Sequence, residues 1–223
     1  MCLDMRPMGK PKPGFENRFK QIVRIIEGKE KQKISFFDKL KGKKEKNKEE
    51  LLKEWFANQI QSYETIKAPK VGRDKEADEW IKNKYEELDE KPPFDEFLNE
   101  YQGYYVIELA KEKDGVPVYT SLWQDKNVFR GKFLEGCEDL IGVDLVDEAW
   151  NTKLGEETLD YGNRLMKIAN KIAAEKKLEY LKDQRFPPGT DEGSIESKLH
   201  IVFSLAKWLI FYGKNGHGYE ADF

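Results

Sequence analysis

The sequence predicts a mainly α-helical (α+β) protein, a compact multi-helix domain with one β-hairpin near residues 104–122. Apolar side chains recur every three or four residues over most of the chain, which is the period of a helix buried on one face. The stretch around Asp114-Gly115 is instead rich in β-branched and aromatic residues. Of the 223 residues, 39% are apolar and 13% aromatic. We therefore expect a folded chain with a substantial hydrophobic core.

Helices are predicted wherever apolar residues line one face and a helix breaker closes the segment. In chain order they cover residues 15–27, 48–66, 74–90, 93–101, 128–142, 156–181 and 194–212, and residues 143–154 form a short helix or two turns. Gly131 and Gly136 weaken the prediction at 128–142, because glycine lowers helix stability. The last segment is apolar almost all round from Ile201 onward, so it should be a central element of the core. Residues 1–14 contain three prolines and two glycines and should be irregular.

The hairpin prediction rests on a turn signal between two β-rich stretches, GYYVIELA and VPVYTSL. Asp114-Gly115 favours the tight two-residue turn that joins antiparallel strands. Pro117 lacks an amide donor, so its strand should have an exposed edge. Helices must cover one face of this hairpin, because an isolated hairpin is only marginally stable in water.

Charge is distributed unevenly behind a net charge of −3. Residues 1–48 contain fifteen Lys/Arg and six Asp/Glu, whereas residues 49–223 contain 24 Lys/Arg and 36 Asp/Glu. We therefore predict a basic N-terminal arm at 1–48, with short amphipathic helices, packed on a helical domain at 49–223 that carries the hairpin. The basic arm can alternatively meet an anionic macromolecule.

The interaction expected for this chain is with a protein partner. Nucleic acid is an alternative through the basic residues 1–48, in which Phe15 and Phe19 are interleaved with lysine and arginine. Peripheral membrane contact is another, because residues 34–48 form a short amphipathic segment followed by lysines. No apolar stretch is long enough for a transmembrane segment or a signal peptide, so a cytoplasmic location is expected. Cys2 and Cys137 do not make a disulfide framework.

The C-terminal sequence FYGKNGHG places three glycines around a lysine, an asparagine and a histidine. Phosphate-binding loops precede a helix, because the amide-rich N-terminal end of a helix attracts anions. Here the glycines follow a helix, so Gly213 is predicted to be the left-handed residue that ends it. His217, between two glycines, is a candidate general base or a group that hydrogen-bonds a carbonyl.

A second constellation lies at the start of the same helix. Glu192, Glu196 and His200 follow one another at intervals of four residues, which places them on one helical stripe. Three such positions span about 12 Å, so Glu196 and His200 can share one metal ion while Glu192 cannot. Glu157 and Asp160 on the preceding helix are the predicted further ligands. The alternative is ordinary pairing of charges on a helix surface.

Two short segments resemble known families. Glu86, Glu87 and Glu90 resemble the EExxE element of the all-α nucleoside triphosphate pyrophosphohydrolases, which implies helical carboxylates that hold Mg²⁺. The ExxD element expected next is first found at Glu157 to Asp160, 67 residues after Glu90. Cys2, if Met1 is removed, is similar to the N-terminal nucleophile of the class II glutamine amidotransferases, although CLDMRPMGKP replaces the Cys-Gly of that family. Neither resemblance extends to the rest of the chain.

The sequence thus predicts a non-enzymatic binding or regulatory protein that uses a charged surface to meet a macromolecular partner, without a cofactor. The alternative is a hydrolase that depends on a divalent metal bound between the last two helices. In that alternative Glu196, His200 and His217 are the catalytic candidates. The metal ligands would be Glu196, His200, Glu157 and Asp160.

Overall fold

The computed structural model describes residues 4–32, 42, 44–110, 119–123, 126–189, 191 and 193–222, with the backbone alone at 121–123, 126 and 222. The α-helices are α1 (Glu16–Ile26), α2 (Lys48–Ala57), α3 (Ser62–Thr65), α4 (Lys75–Glu86), α5 (Phe94–Tyr101), α6 (Glu138–Ile141), α7 (Val143–Glu148), α8 (Gly155–Lys176) and α9 (Ile195–Lys214). The strands are β1 (Asp4–Pro7), β2 (Lys10–Pro11), β3 (Gln59–Ile60), β4 (Thr120–Trp123), β5 (Lys126–Arg130) and β6 (Tyr219–Asp222). The predicted fold class, mainly α with a small β component, is confirmed.

The two longest helices, α8 and α9, pack side by side in antiparallel directions. Gly162, early in α8, lies against Leu209 late in α9, and Gly213 at the end of α9 lies against Leu159 at the start of α8. A Cβ atom on Gly213 would come within 2.6 Å of the Leu159 backbone nitrogen. The helices therefore approach each other through glycines, closer than larger side chains would allow.

Helix α9 is the central element of the larger core, as predicted. Its fully buried apolar residues, each at most 1% exposed, are Leu199, Val202, Phe203, Leu205, Ala206, Trp208, Leu209 and Tyr212. Tyr161, Leu165 and Ala169 of α8 belong to the same cluster. In the second half of α9 most side chains are buried, while Lys207, Ile210 and Phe211 are half-buried along one face of the helix.

The main sheet has the strand order β4-β5-β1-β6, with antiparallel neighbours throughout. Strand β1 lies inside this sheet, so the prediction that residues 1–14 are irregular is wrong at Asp4–Pro7. Asp4 stands opposite Arg130 of β5 and accepts a hydrogen bond from its Nε at 2.8 Å. These two residues are 126 positions apart, so local sequence carries no sign of their pairing.

The hairpin lies later in the chain than predicted. Strand β4 pairs with β5, while Ile107–Leu109 forms a 3-10 turn in place of the expected first strand. Val106 and Ile107 are both buried, so neighbouring side chains do not alternate between core and solvent as they do in a half-exposed strand. Asp114, Gly115 and Pro117 lie outside the described residues.

The helix predicted at 128–142 is divided into several shorter elements. Its first residues belong to β5, and 3-10 turns at Gly131–Phe133 and Glu135–Cys137 precede the short helix α6. The two glycines that weakened the prediction, Gly131 and Gly136, lie in these turns. Pairing of β5 with β1 and β4 therefore overrides the local helical period.

The chain returns to the sheet after α9. Gly213 lies inside α9 and is not its left-handed terminator; Gly216 has that conformation, with φ of 83°. The backbone N–H of His217 then donates to the Tyr212 carbonyl at 2.9 Å. Strand β6 follows and pairs with β1, so the predicted tail is an edge strand of the sheet. Phe223 lies outside the described residues.

The chain divides into two compact units that differ in their bounds from the predicted arm and domain. One unit comprises Gly9–Gln61, and the other contains β1 together with the chain from Ser62 onward. The smaller unit contains α1, α2 and the short pair β2 and β3. Its core includes Phe19 and Trp55, whose ring centroids are 5.3 Å apart.

Candidate functional site

His200 is buried at the N-terminal half of α9, and both of its ring nitrogens are hydrogen-bonded. Nε2 lies 3.0 Å from the Gln184 carbonyl oxygen, and Nδ1 lies 2.8 Å from the Tyr119 hydroxyl. A carbonyl oxygen can only accept, so Nε2 carries the proton and Nδ1 accepts from Tyr119. Burial lowers the pKa of His200 and favours this neutral form. Neither nitrogen has a lone pair that is open to a metal ion.

The predicted metal ligands are not brought together. Leu159, beside the start of α8, lies against Gly213, whereas His200 is thirteen residues earlier in α9. At 1.5 Å per residue, the start of α8 and His200 are separated by about 20 Å along the helix. Within the described part of the chain, no group of three or more His, Cys, Asp or Glu side chains could hold a metal ion. The hydrolase alternative therefore loses the ligand set on which it was based.

The predicted carboxylate ligands have other contacts in α8. Glu157 accepts a hydrogen bond from the Leu154 backbone N–H at 2.8 Å, which satisfies a free amide at the start of the helix. Asp160 accepts from Arg164 at 2.8 Å, one turn along the same helix. Glu196 is half-exposed in the first turn of α9, and Glu192 lies outside the described residues. The contacts of Glu157 and Asp160 are thus ordinary pairings at a helix end and on a helix surface, which is the alternative to a metal site.

His217 is fully buried beside the sheet. Its Nδ1 donates to the Met8 carbonyl oxygen at 2.8 Å, and Nε2 lies 2.9 Å from the Thr65 hydroxyl. The residue therefore links the segment after α9 to the end of β1 and to α3. This geometry fits the carbonyl-bonding alternative for His217, rather than a base on an accessible loop.

The remaining chemical candidates are equally enclosed or paired. Cys137 is 0% exposed, and burial raises the pKa of its thiol to about 12, so the thiolate needed for nucleophilic chemistry is not formed near neutrality. Cys2 lies outside the described residues. Glu86 and Glu87 of the EExxE-like segment are exposed and pair with Lys91 and Lys84.

A cavity of about 670 Å³ opens beside His200, and sequence analysis did not predict it. The N-terminal half of α9 forms one wall, and the turns at 131–137 and the loop before α9 form the others. Its apolar lining includes Phe133, Pro187, Pro188 and Ile201. Phe186, next to two of these residues in the chain, is 68% exposed. Tyr119 adds a fourth segment to the lining. Because four separate segments contribute to the cavity, only the proline pair and the exposed phenylalanine could have drawn attention to it in the sequence.

A second cleft runs along α1 in the unit Gly9–Gln61, with a volume of about 520 Å³. The described residues that line it are Asn17, Arg18, Lys20, Gln21, Arg24 and Glu30. Arg18 donates from Nε and Nη2 to Glu54, both at 2.8 Å, and from Nη1 to Gln21 at 2.6 Å. This bidentate pair with Arg18 holds the pKa of Glu54 at about 2. Three of the six described lining residues, Arg18, Lys20 and Arg24, are basic, and one, Glu30, is acidic.

No family model, curated protein or solved structure matches the chain. In the part of the chain that the structure describes, no helix is both long and apolar enough to cross a membrane. Function is therefore inferred from the chemistry of the cavity and of the α1 cleft, although a further cleft of about 510 Å³ is lined by Tyr63, Arg73 and Tyr105.

Proposed function

We propose that the protein is a non-enzymatic binding protein whose basic unit, Gly9–Gln61, meets an acidic segment of a protein partner. The observation that carries this proposal is the cleft along α1, where Arg18, Lys20 and Arg24 face one carboxylate, Glu30, among the described lining residues. The unit as a whole contains fifteen Lys/Arg and eight Asp/Glu. A surface with this excess attracts acidic partners and accelerates their association.

The contacts of α1 divide its cations into two roles. Arg18 is fixed by Glu54 and Gln21, so it supports the wall of the cleft. Arg24 is exposed and makes no ion pair with any residue that the structure describes. Arg24 is therefore the cation that can pair with a partner at the lowest cost in broken contacts.

Burial of Phe19 argues against its use for base stacking, whereas Phe56 of the same unit is 59% exposed, so an oligonucleotide probe is needed to separate the two kinds of partner. Base stacking needs exposed aromatic rings, and Phe19 is 3% exposed because it packs on Trp55. The peripheral membrane alternative concerns residues 34–48, of which 34–41 and 43 lie outside the described residues. It remains a prediction from the sequence.

Charge reversal at Arg24 tests the proposal with three probes: a fluorescent poly-glutamate peptide, a single-stranded oligonucleotide and phosphatidylserine vesicles. We expect the peptide to bind in a salt-sensitive way and Arg24→Glu to weaken it about fivefold, the equivalent of about 1 kcal/mol. The matched control is Lys167→Glu, which makes the same charge change at an exposed position of α8. Fluorescence anisotropy at two salt concentrations measures both variants.

Equal losses in Arg24→Glu and Lys167→Glu would contradict the proposal, because net charge rather than the cleft would then govern binding. Tighter binding of the oligonucleotide than of the peptide, weakened by Arg24→Glu, would replace the protein partner with nucleic acid. Binding to vesicles alone would replace it with a membrane surface.

A further inference from the structure

The cavity beside His200 has the size and lining of a small-molecule site, and it belongs to the unit that does not contain the basic cleft. Its volume of about 670 Å³ lies within the range of about 300–1,000 Å³ usual for ligand pockets. Phe133, Pro187, Pro188 and Ile201 offer an apolar lining against which a hydrocarbon group can be buried. This inference is independent of the proposed interaction of the basic unit.

The charged residues that line the cavity, among those described, are two lysines, with no aspartate or glutamate. Lys198 donates to both carboxylate oxygens of Asp139, at 2.9 and 2.8 Å, so its charge is already balanced. Lys132 is exposed and has no carboxylate partner within the described residues. Its Nζ lies 5.2 Å from the ring centroid of Phe133, which places a cation directly beside an apolar wall.

The polar groups in the cavity wall are neutral and already hydrogen-bonded. The Tyr119 hydroxyl donates to His200, and the Cys137 thiol is 3.6 Å from the Phe133 carbonyl oxygen. Burial raises the pKa of both Tyr119 and Cys137 to about 12, so neither is an anion at neutral pH. No negative charge in the described lining would therefore repel an anionic ligand, and Lys132 would attract one.

We propose that this cavity binds a free aliphatic carboxylate of medium chain length. The carboxylate pairs with Lys132 at the mouth, and the hydrocarbon chain lies along Phe133 and Ile201. Burial of the ligand's hydrocarbon chain away from water lowers the free energy of binding. The ion pair with Lys132 gives the preference for an acid over a neutral molecule of the same length.

Octanoate and octan-1-ol, both used below the concentration at which they aggregate, provide the test by isothermal titration calorimetry. We expect octanoate to bind about tenfold more tightly than the alcohol, the factor that corresponds to one charge-assisted hydrogen bond. Lys132→Met should remove that preference while leaving the binding of octan-1-ol unchanged. Lys167→Met, which removes an exposed lysine from α8, is the matched control and should bind both ligands as the unaltered protein does.

A second variant tests whether the ligand binds inside the cavity. Gly136 lines it, and a Cβ atom there meets no other atom within 4 Å, so the first side-chain atom of Gly136→Leu has open space around it. We expect this variant to melt at the same temperature and to bind octanoate at least tenfold more weakly. Lys167→Leu, which replaces an exposed residue of α8 outside the lining, is the control.

Three results would overturn the proposal. The first is equal affinity for octanoate and octan-1-ol in the unaltered protein. The second is an acid preference that survives Lys132→Met, and the third is octanoate binding that Gly136→Leu and Lys167→Leu affect equally. Failure of octanoate to bind at all would also overturn it.

Discussion

A buried histidine with two hydrogen bonds lies near each end of helix α9, but the residues around the two histidines differ. Near its N-terminal end, His200 bonds to Tyr119 and lies beside an open cavity. Just beyond its C-terminal end, His217 is fully enclosed by backbone of the sheet and by α3. The two histidines of the chain are thus both buried and doubly bonded, and Tyr119, the partner of His200, also lines the cavity.

Packing is also closer at the C-terminal end of α9 than at its N-terminal end. At the C-terminal end a Cβ atom on Gly218 would fall 2.0 Å from the Lys153 carbonyl oxygen, so backbone segments are in direct contact. At the N-terminal end Phe186 and Ile195 are 68% and 40% exposed. Stability is therefore concentrated where the chain closes on itself, while apolar surface remains available at the opposite end, where a ligand can gain by covering it.

The largest expected effect comes from removing each histidine's hydrogen bonds. His217→Leu leaves the Met8 carbonyl and the Thr65 hydroxyl without this partner, and we expect a loss of about 3 kcal/mol in the free energy of unfolding. His200→Leu should cost about 1 kcal/mol, because water in the cavity can replace one partner of Tyr119. Urea denaturation at pH 7 measures both. An equal or reversed order would show that the two ends are equally closed.

Substitution of glycine by alanine should also destabilise the C-terminal end of α9 more than the N-terminal end, but with a smaller difference in free energy of unfolding. Gly213→Ala directs a methyl group at the Leu159 backbone, and overpacking should exceed the usual gain of alanine over glycine in a helix, for a net loss of about 2 kcal/mol. Gly189→Ala, in the loop before α9, meets no atom within 4 Å and should stay within about 0.5 kcal/mol of the unaltered protein. Thermal unfolding of the two variants measures these stability changes. A stabilised Gly213→Ala would mean that α8 can move away from α9.

Sequence patterns predicted the two longest helices well because their evidence is local, whereas the segments predicted as helices at 48–66 and 128–142 are interrupted by β3 and β5. The apolar stripe of α8 and the apolar surface of α9 can be read within one segment, and both helices were predicted near their observed positions. The sheet was missed at β1 because Asp4 pairs with a residue 126 positions away. The metal-site hypothesis correctly put Glu196 and His200 on one helix, but spacing alone could not show that both histidine nitrogens are occupied.

The cavity could not be predicted for a related reason. Tyr119 and His200 are 81 positions apart, and the walls come from four segments that periodicity treats separately. Patterns in a sequence describe the face of one element, whereas a cavity is defined by what several elements leave unfilled.

The smallest expected effect concerns the ion pairs at the two ends and depends on pH. Near the C-terminal end, Arg164 and Lys153 hold the carboxylate of Glu148, which is 25% exposed, and the side-chain hydrogen bond from Arg164 is the main cause that lowers its pKa to about 2. Near the N-terminal end, Lys198 lowers the pKa of Asp139, whose side chain is 70% exposed. Solvent screens the exposed pair more strongly.

We therefore expect Glu148→Gln to cost about 1 kcal/mol at pH 7 and Asp139→Asn to cause no measurable change. Because folding lowers the pKa of Glu148, its contribution is full above the ordinary carboxyl pKa near 4.5 and is lost as the pH falls toward 2. The difference between the unaltered protein and Glu148→Gln should consequently shrink between pH 4.5 and the lowest pH at which the protein stays folded. Urea denaturation at pH 7, 5 and 3.5 provides the curve. A difference that stays constant over this interval would assign the loss to altered packing around Tyr161 rather than to the charge of Glu148.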